Sequence, residues 1–289
     1  MSTVYFHIDT DGKAAAAIIK RADPTAYPVP VNYGYELRKD RLAKGETVYV
    51  VDFTFEPEDM LWLKENCRLI WIDHHELAIN KVHEIIGEDI EGIRDSSMCG
   101  TELTWQYVYP DVPFPKAVKL IGCYDTGRFM DMPDVMEFEE GLSDMDLFPV
   151  NNNKQAFVLW NKLFDDDNFV DKTIRIGRKI LSRKIRDNRI LMKSRAFEST
   201  FCGYVAIVAN VGLVNSMMFD SVVDPVKHDL IIGFYRHNRG HWKVSVREVD
   251  PKKNIHVGKL CERYQGGGHR GAGGYSVKHL SELEFAKDF

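Results

Sequence analysis

Apolar residues in the first half of the chain come in short unbroken runs, and each run ends abruptly in acids or histidines. Val4-Tyr5-Phe6 leads into His7-Ile8-Asp9-Thr10-Asp11-Gly12, Thr47-Val48-Tyr49-Val50-Val51 into Asp52, and Leu69-Ile70-Trp71-Ile72 into Asp73-His74-His75. Continuous apolar runs of this length predict strands buried on both faces, as in a parallel sheet. Residues 27–31 predict a further strand, confined to an edge by Pro28 and Pro30. Between these runs the spacing turns helical. Residues 13–20 are rich in good helix formers and start a helix directly from the first polar loop. Pro57-Glu58-Asp59 suits a first helical turn followed by Met60, Leu61, Trp62 and Leu63. Residues 101–108 and 117–123 predict two more helices, the second stopping just before Asp125. Strands alternating with helices imply an α/β fold with a doubly wound, mostly parallel sheet. In such sheets ligands bind outside the carboxyl ends of the strands, so three strands ending in Asp or His predict one shared site.

The second half reads differently. Residues 130–153, rich in Asp, Pro and Asn, predict a loop or short helices. Residues 169–192 place Ile174, Leu181, Ile185 and Ile190 among many charges, as in a long amphipathic connecting helix. Strands follow at 204–211, 229–235 and 242–249, then the loop Gly266-Gly267-Gly268-His269-Arg270-Gly271-Ala272-Gly273-Gly274 and a short strand at 275–277. The expected organisation is a catalytic α/β domain over 1–150, a helical linker over 151–195 and a smaller α/β domain over 196–289. An active-site cleft is expected between the two domains.

Charge sharpens this division. The net charge is −5, yet residues 171–270 carry 20 Lys and Arg against 9 Asp and Glu, while the remainder carries 18 against 34. An acidic half that concentrates metal ions thus accompanies a basic half that attracts phosphate. The five cysteines are scattered without a CxxC pair, which favours reduced thiols over a disulfide framework or zinc knuckle. The absence of a signal-peptide pattern and of an apolar run near the roughly 20 residues of a membrane span predicts a cytoplasmic, non-membrane protein.

His7, Asp9 and Asp11 alternate, so an extended backbone would send all three side chains from one face. Imidazole with carboxylate suits a divalent ion such as Mn2+ better than a thiolate-preferring metal. With Asp52, His74 and Asp125 the set is large enough for two ions sharing a bridging carboxylate. Two ions about 3.5–4 Å apart can activate water and clamp both oxygens of an in-line phosphoryl displacement. Each piece alone has a blander explanation: an Asp after a strand commonly caps a helix, and a glycine run is commonly a turn. Here His269 and Arg270 sit between glycines on both sides, a setting in which backbone and cations can approach an anion.

Taken in order, these segments resemble the DHH-family phosphoesterases with a DHH-associated type 1 carboxy-terminal domain, a group that includes nanoRNases, cyclic-dinucleotide phosphodiesterases and the RecJ exonuclease core. The motifs that carry the resemblance are His7-Ile8-Asp9-Thr10-Asp11-Gly12, Asp52, Asp73-His74-His75, Asp125 in Asp125-Thr126-Gly127-Arg128, and Gly266-Gly267-Gly268-His269, with Ser96–Leu103 resembling the segment between the third and fourth. The resemblance implies one Mn2+ on His7, Asp9 and Asp52, and a second on Asp11, Asp52, His74 and Asp125. Mg2+ or Co2+ would be possible substitutes. It implies that Asp73 orients its neighbours and that His75 contacts the scissile phosphate. Gly266, Gly267, Gly268, His269 and Arg270 would hold a second phosphate. Arg128 departs from the small residue expected after Asp-Thr-Gly and becomes a candidate substrate contact. Ser182-Arg183-Lys184 is similar to a signature of family II pyrophosphatases, but it falls within the long charged helix, where it reads as a solvated face.

The expected function is hydrolysis of short oligonucleotides, down to dinucleotides, to nucleoside monophosphates by a hydroxide activated between two metals. No extended basic arm for long duplexes is present. Alternatives are a cyclic (di)nucleotide or 3′-phosphoadenosine-phosphate phosphoesterase, a pyrophosphatase or polyphosphatase, and a non-catalytic nucleotide sensor. A homodimer is the commonest closed form for such a chain.

Overall fold

The computed structural model describes residues 2–87, 89–129, 131–212 and 216–286. Met130, where the expected loop region begins, lies outside them. The chain divides into two compact units, Met1–Leu181 and Ser182–Phe289.

The first unit runs β1 (Ser2–His7), α1 (Thr10–Ala22), β2 (Ala26–Val31), β3 (Thr47–Val51), α2 (Pro57–Asn66), β4 (Arg68–Ile72), α3 (Glu76–Ile86), α4 (Gly100–Val108), α5 (Lys116–Asp125), α6 (Val135–Leu142) and α7 (Lys154–Asp165). The long α8 (Asp167–Arg195) follows and passes into the second unit. The four strands are parallel in the order β2-β1-β3-β4, with proline-bearing β2 at the edge. Alternate residues of each strand serve opposite faces. Val4, Phe6, Val51 and Ile70 pack beneath Ala15 and Ile19 of α1 and Leu103 of α4. Tyr5, Val48, Val50 and Trp71 pack against Met60 and Leu63 of α2 and Ile79 and Val82 of α3. The doubly wound arrangement expected from the apolar runs is therefore present. The strand order reverses between β1 and β3, the switch point at which open sheets leave room for ligands.

Helix boundaries differ from the pattern-based reading where side chains intervene. α1 begins at Thr10 because the Asp9 carboxylate caps it, accepting the Gly12 N–H at 2.9 Å. The alternating His7, Asp9 and Asp11 thus occupy a strand end, a cap and a first helical turn rather than one extended face. α5 carries Asp125 as its last residue instead of stopping before it. α3 and α7 were not anticipated. Trp160, Leu163 and Phe164 of α7 join Val170 and Ile174 of α8 in one core with α1, α5 and α6, so residues 154–181 pack with the first unit. Along α8 the apolar stripe is only partly used. Ile174 is buried, whereas Ile185 and Ile190 are exposed, and Met192 is buried in the second unit.

The second unit holds β5 (Ala196–Phe201), β6 (Tyr204–Asn210), β7 (Leu230–Arg236), β8 (Trp242–Glu248), α9 (Val257–Glu262), β9 (Gly267–Gly268) and β10 (Ala272–Val277). Its mixed sheet has the order β5-β6-β7-β8-β10-β9, parallel at β6–β7 and antiparallel elsewhere. Val208, Ile232, Val246 and Tyr275 face α9, and Ile207, Ala209 and Ile231 face Met192 and Phe219. All five cysteines are free. Among the described residues no helix is long and apolar enough to cross a membrane.

Candidate metal centre

Parallel pairing of β1, β3 and β4 aligns their carboxyl ends, and three ligand-bearing turns follow from that alignment. His7 closes β1, Asp52 follows β3, and Asp73-His74-His75 follows β4. Asp52 takes a left-handed backbone, φ 52°, and is pinned by its N–H to the Ile72 carbonyl at 2.9 Å. That turn sends its carboxylate inward, where the side chain is 1% exposed.

The donor atoms converge. His7 Nδ1 lies 2.6 Å from Asp9 Oδ2 and 3.8 Å from Asp52 Oδ2. His74 Nε2 lies 3.1 Å from Asp52 Oδ1, 3.8 Å from Asp11 Oδ2 and 3.6 Å from Asp125 Oδ2. Two sets of donors, His7-Asp9-Asp52 and Asp11-His74-Asp125, each fall within 4.8 Å, with Asp52 touching both. Asp52, Asp73, His74 and His75 form a third such set. In that third set both Asp73 oxygens are already engaged. Oδ2 accepts from the Thr54 hydroxyl, and Oδ1 accepts from His75 Nδ1 at 2.7 Å and the His74 N–H at 2.8 Å. Asp73 therefore acts as a support. It fixes the His75 ring through Nδ1 and leaves Nε2 as the free nitrogen.

Five carboxylates in so small a volume repel one another. Burial, followed by Asp11, Asp9, Asp73 and Asp125, holds the Asp52 carboxyl well above the usual carboxylate range. Burial together with Asp11 and Asp9 pushes Asp125 up to about 7. Burial lowers the His74 imidazole, whereas hydrogen bonds to Asp73 and Asp9 raise His75 and His7. Asp52 Oδ2 is buried without a hydrogen-bond partner. A buried, unpaired acceptor amid like charges is costly unless a cation joins it. Nitrogen and oxygen donors without thiolate match a hard or borderline divalent ion, so the residues present fit the metal that their chemistry implies.

Residues that the sequence reading passed over build the frame. Gly100 and Thr101 at the start of α4 donate their N–H groups to the two oxygens of Asp11 at 2.6 and 2.7 Å. Gly100 must lack a side chain, since a Cβ there would lie 2.6 Å from Asp52 Cβ. Thr54 links Asp73 to the Trp71 indole, whose N–H it accepts at 3.2 Å. Glu102 accepts Arg128 Nη2 at 2.6 Å and the Cys99 N–H at 3.1 Å. Arg128, expected as a substrate contact, is thus turned to a buried carboxylate, and it also donates to Thr126 Oγ1 at 2.6 Å. The signals for the Asp11 contacts were glycine-threonine at a predicted helix start and the place of both residues in the segment Ser96–Leu103.

In the second unit, Gly267 and Gly268 pair with Gly274 and Gly273 in a tight hairpin. The Gly266 N–H is used by the Cys261 carbonyl at 3.0 Å, and the His269 N–H by Ala272 at 2.8 Å. The glycines therefore serve close backbone packing, while the side chains of His269 and Arg270 remain exposed. Ser182, Arg183 and Lys184 lie within α8, as expected of a charged helix.

A parallel sheet gathers His and Asp donors at its strand ends, and a mixed-sheet unit bearing a Gly-Gly-Gly-His hairpin follows it in the chain. Residues 213–289 match the DHHA1 domain. The fold is similar to that of the pGpG-specific phosphodiesterase PggH from Vibrio cholerae, with 12% identity, 100% of this chain and 97% of that chain covered, and a TM-score of 0.63. It is also similar to the DHH domain of a member of the s1p family of ribosomal proteins, with 14% identity, 99% and 85% covered, and a TM-score of 0.62. An uncharacterized protein of Acanthamoeba polyphaga mimivirus is 24% identical over 246 residues, 82% of this chain and 54% of that protein. The chain thus spans about half the length of the curated relative it matches. Residues 213–289 thus carry the match to the DHHA1 domain, and the fold of the chain is similar to that of PggH and of the DHH domain.

Proposed function

We propose that the protein is a Mn2+-dependent phosphodiesterase of the cytoplasm that hydrolyses short oligonucleotides, including linear dinucleotides, to nucleoside monophosphates. The observation that carries this reading is the unpartnered Asp52 Oδ2, buried where the His7-Asp9 and Asp11-His74-Asp125 donors meet. His7, Asp9 and Asp52 would hold one ion, and Asp11, Asp52, His74 and Asp125 a second. Bound ions of this kind supply an activated water and neutralise charge on the transferring phosphoryl group. Asp73, desolvated yet kept below the usual carboxylate range by His75, Thr54 and the His74 N–H, orients the His75 ring. His75, half-exposed, offers Nε2 to a phosphate oxygen. His269 and Arg270 supply exposed cation-capable donors for a second phosphate, the role that the family signature implies for their loop together with Gly266, Gly267 and Gly268. The substrate class agrees with the dinucleotide named for the Vibrio fold neighbour.

The test is a rate series with Mn2+ from dinucleotides to long single strands, beside pyrophosphate, cyclic dinucleotides and 3′-phosphoadenosine phosphate. The reading expects the dinucleotides to be fastest. Faster release of phosphate from pyrophosphate, or rates that rise with strand length, would overturn it.

A further inference from the structure

A cavity of about 360 Å3 opens beside the ligand loop, entirely within the first unit. Trp160 and Leu147 form part of its apolar lining, and Thr10, Lys13, Glu139 and Phe148 carry its chemistry. Thr10 sits between Asp9 and Asp11, so the cavity begins one residue from two candidate metal ligands. The Thr10 hydroxyl donates to Glu139 Oε1 at 2.6 Å, which fixes a half-buried carboxylate on the wall. The Lys13 ammonium lies over the Phe148 ring, 5.5 Å from its centroid, and makes no ion pair among the described residues. The metal-ligand assignment uses neither Glu139 nor Lys13.

Resting on the phosphodiesterase reading above, we propose that this cavity receives a nucleobase of the substrate and selects guanine through Glu139 and Lys13. The volume falls within the range of small-molecule sites, where an apolar floor carries a few fixed polar groups. An ionised carboxylate only accepts hydrogen bonds, and an ammonium only donates them. Guanine presents two adjacent donors, N1–H and the N2 amino group, next to the O6 acceptor. That edge matches a carboxylate and an ammonium that line the same cavity. Adenine would set its N1 lone pair against the carboxylate, and cytosine its N3. Uracil offers one donor flanked by two carbonyls. Asp146, also on the wall, is directed to the Phe148 N–H at 3.5 Å, which leaves Glu139 as the carboxylate anchored by a side-chain donor.

The experiment compares Mn2+-dependent hydrolysis of pGpG and pApA by the full chain, and separately the binding of 5′-GMP and 5′-AMP by titration calorimetry. Guanine should be favoured about tenfold to hundredfold in both, the worth of one or two charge-assisted hydrogen bonds. Glu139→Gln replaces two acceptor oxygens by one acceptor and one donor, the pattern that an amide offers adenine. That variant should lose most of the guanine preference and gain on adenine, with Mn2+ content unchanged. Lys13→Ala should weaken GMP more than AMP. If neither dinucleotide is hydrolysed, the phosphodiesterase reading fails, while the binding arm still decides the base. Equal binding of GMP and AMP, or a Glu139→Gln variant with the parent's ratio, overturns the guanine subsite.

Discussion

Gly100→Ala sets two opposing effects against each other, and their magnitudes decide the outcome. By helix propensity alone, alanine near the start of α4 would stabilise by up to about 1 kcal/mol. The structure predicts the reverse. The new Cβ would lie 2.6 Å from Asp52 Cβ and 3.0 Å from Asp11 Oδ2. Carbon atoms in comfortable contact stand about 3.5–4.0 Å apart, so this separation must grow by about 1 Å. Neither side yields cheaply. Asp52 is buried and held through its N–H to Ile72, while Gly100 and Thr101 hold both Asp11 oxygens through theirs. Overpacking of this kind costs about 1–3 kcal/mol, which offsets or exceeds the propensity gain. The larger consequence is for metal. Ligands must keep their places to within about 0.2 Å, and disturbed support around a metal costs about tenfold to hundredfold in affinity. Urea denaturation of the metal-free chain and calorimetric Mn2+ titration measure the two effects separately. An alanine variant as stable as the parent, with the parent's Mn2+ affinity, would refute the assignment of Gly100 as the spacer between Asp11 and Asp52.

Thr54→Val keeps the side-chain shape but leaves Asp73 Oδ2 and the Trp71 indole without their shared partner, so unfolding should become easier by about 2–4 kcal/mol, read by chemical denaturation. In metal-free protein Asp125 carries a folded pKa of about 7 against an ordinary 3.8, so its ionisation destabilises the fold progressively as pH rises from about 4 to beyond 7. Asp125→Asn should therefore melt higher than the parent in EDTA at pH 8, match it near pH 4, and lose the gain that the parent shows with Mn2+. The same order at both pH values would contradict the crowding of carboxylates. His269→Ala should raise KM for a dinucleotide with bound Mn2+ near normal, and loss of metal in that variant would remove the hairpin from the proposed substrate role.

The strand ends were legible because they depend on local physics. A short unbroken apolar run followed by Asp or His, repeated three times between helical segments, reads as buried strands that open into polar turns, and this marked His7, Asp52 and Asp73-His74-His75 without any contact information. Alternation failed at Asp9 and Asp11 because a side-chain cap, accepting the Gly12 N–H, competes with extension and ends the strand at His7. α7 was hidden for another reason. Its stripe, Ala156, Trp160, Leu163 and Phe164, becomes meaningful only against the core that α1, α5 and α6 supply. The exposure of Ile185 and Ile190 likewise shows that an apolar stripe states where burial is possible, not that a partner is present.

The sequence by itself determined the donor types, their placement at strand ends, the alternation that makes a parallel sheet, and the family motifs in order. Tertiary structure decided how those donors group. The pairing of β1, β3 and β4, with the end of α5, brings His7, Asp9 and Asp52 into one set within 4.8 Å and Asp11, His74 and Asp125 into another, and the left-handed Asp52 turn aims one carboxylate into both donor sets. It also gave Gly100, Thr54, Glu102 and Glu139 their work, because a hydrogen bond or a close approach between distant segments leaves no period or spacing in the chain. Periodicity records what each residue does within its own element, whereas a binding site is made by contacts between elements.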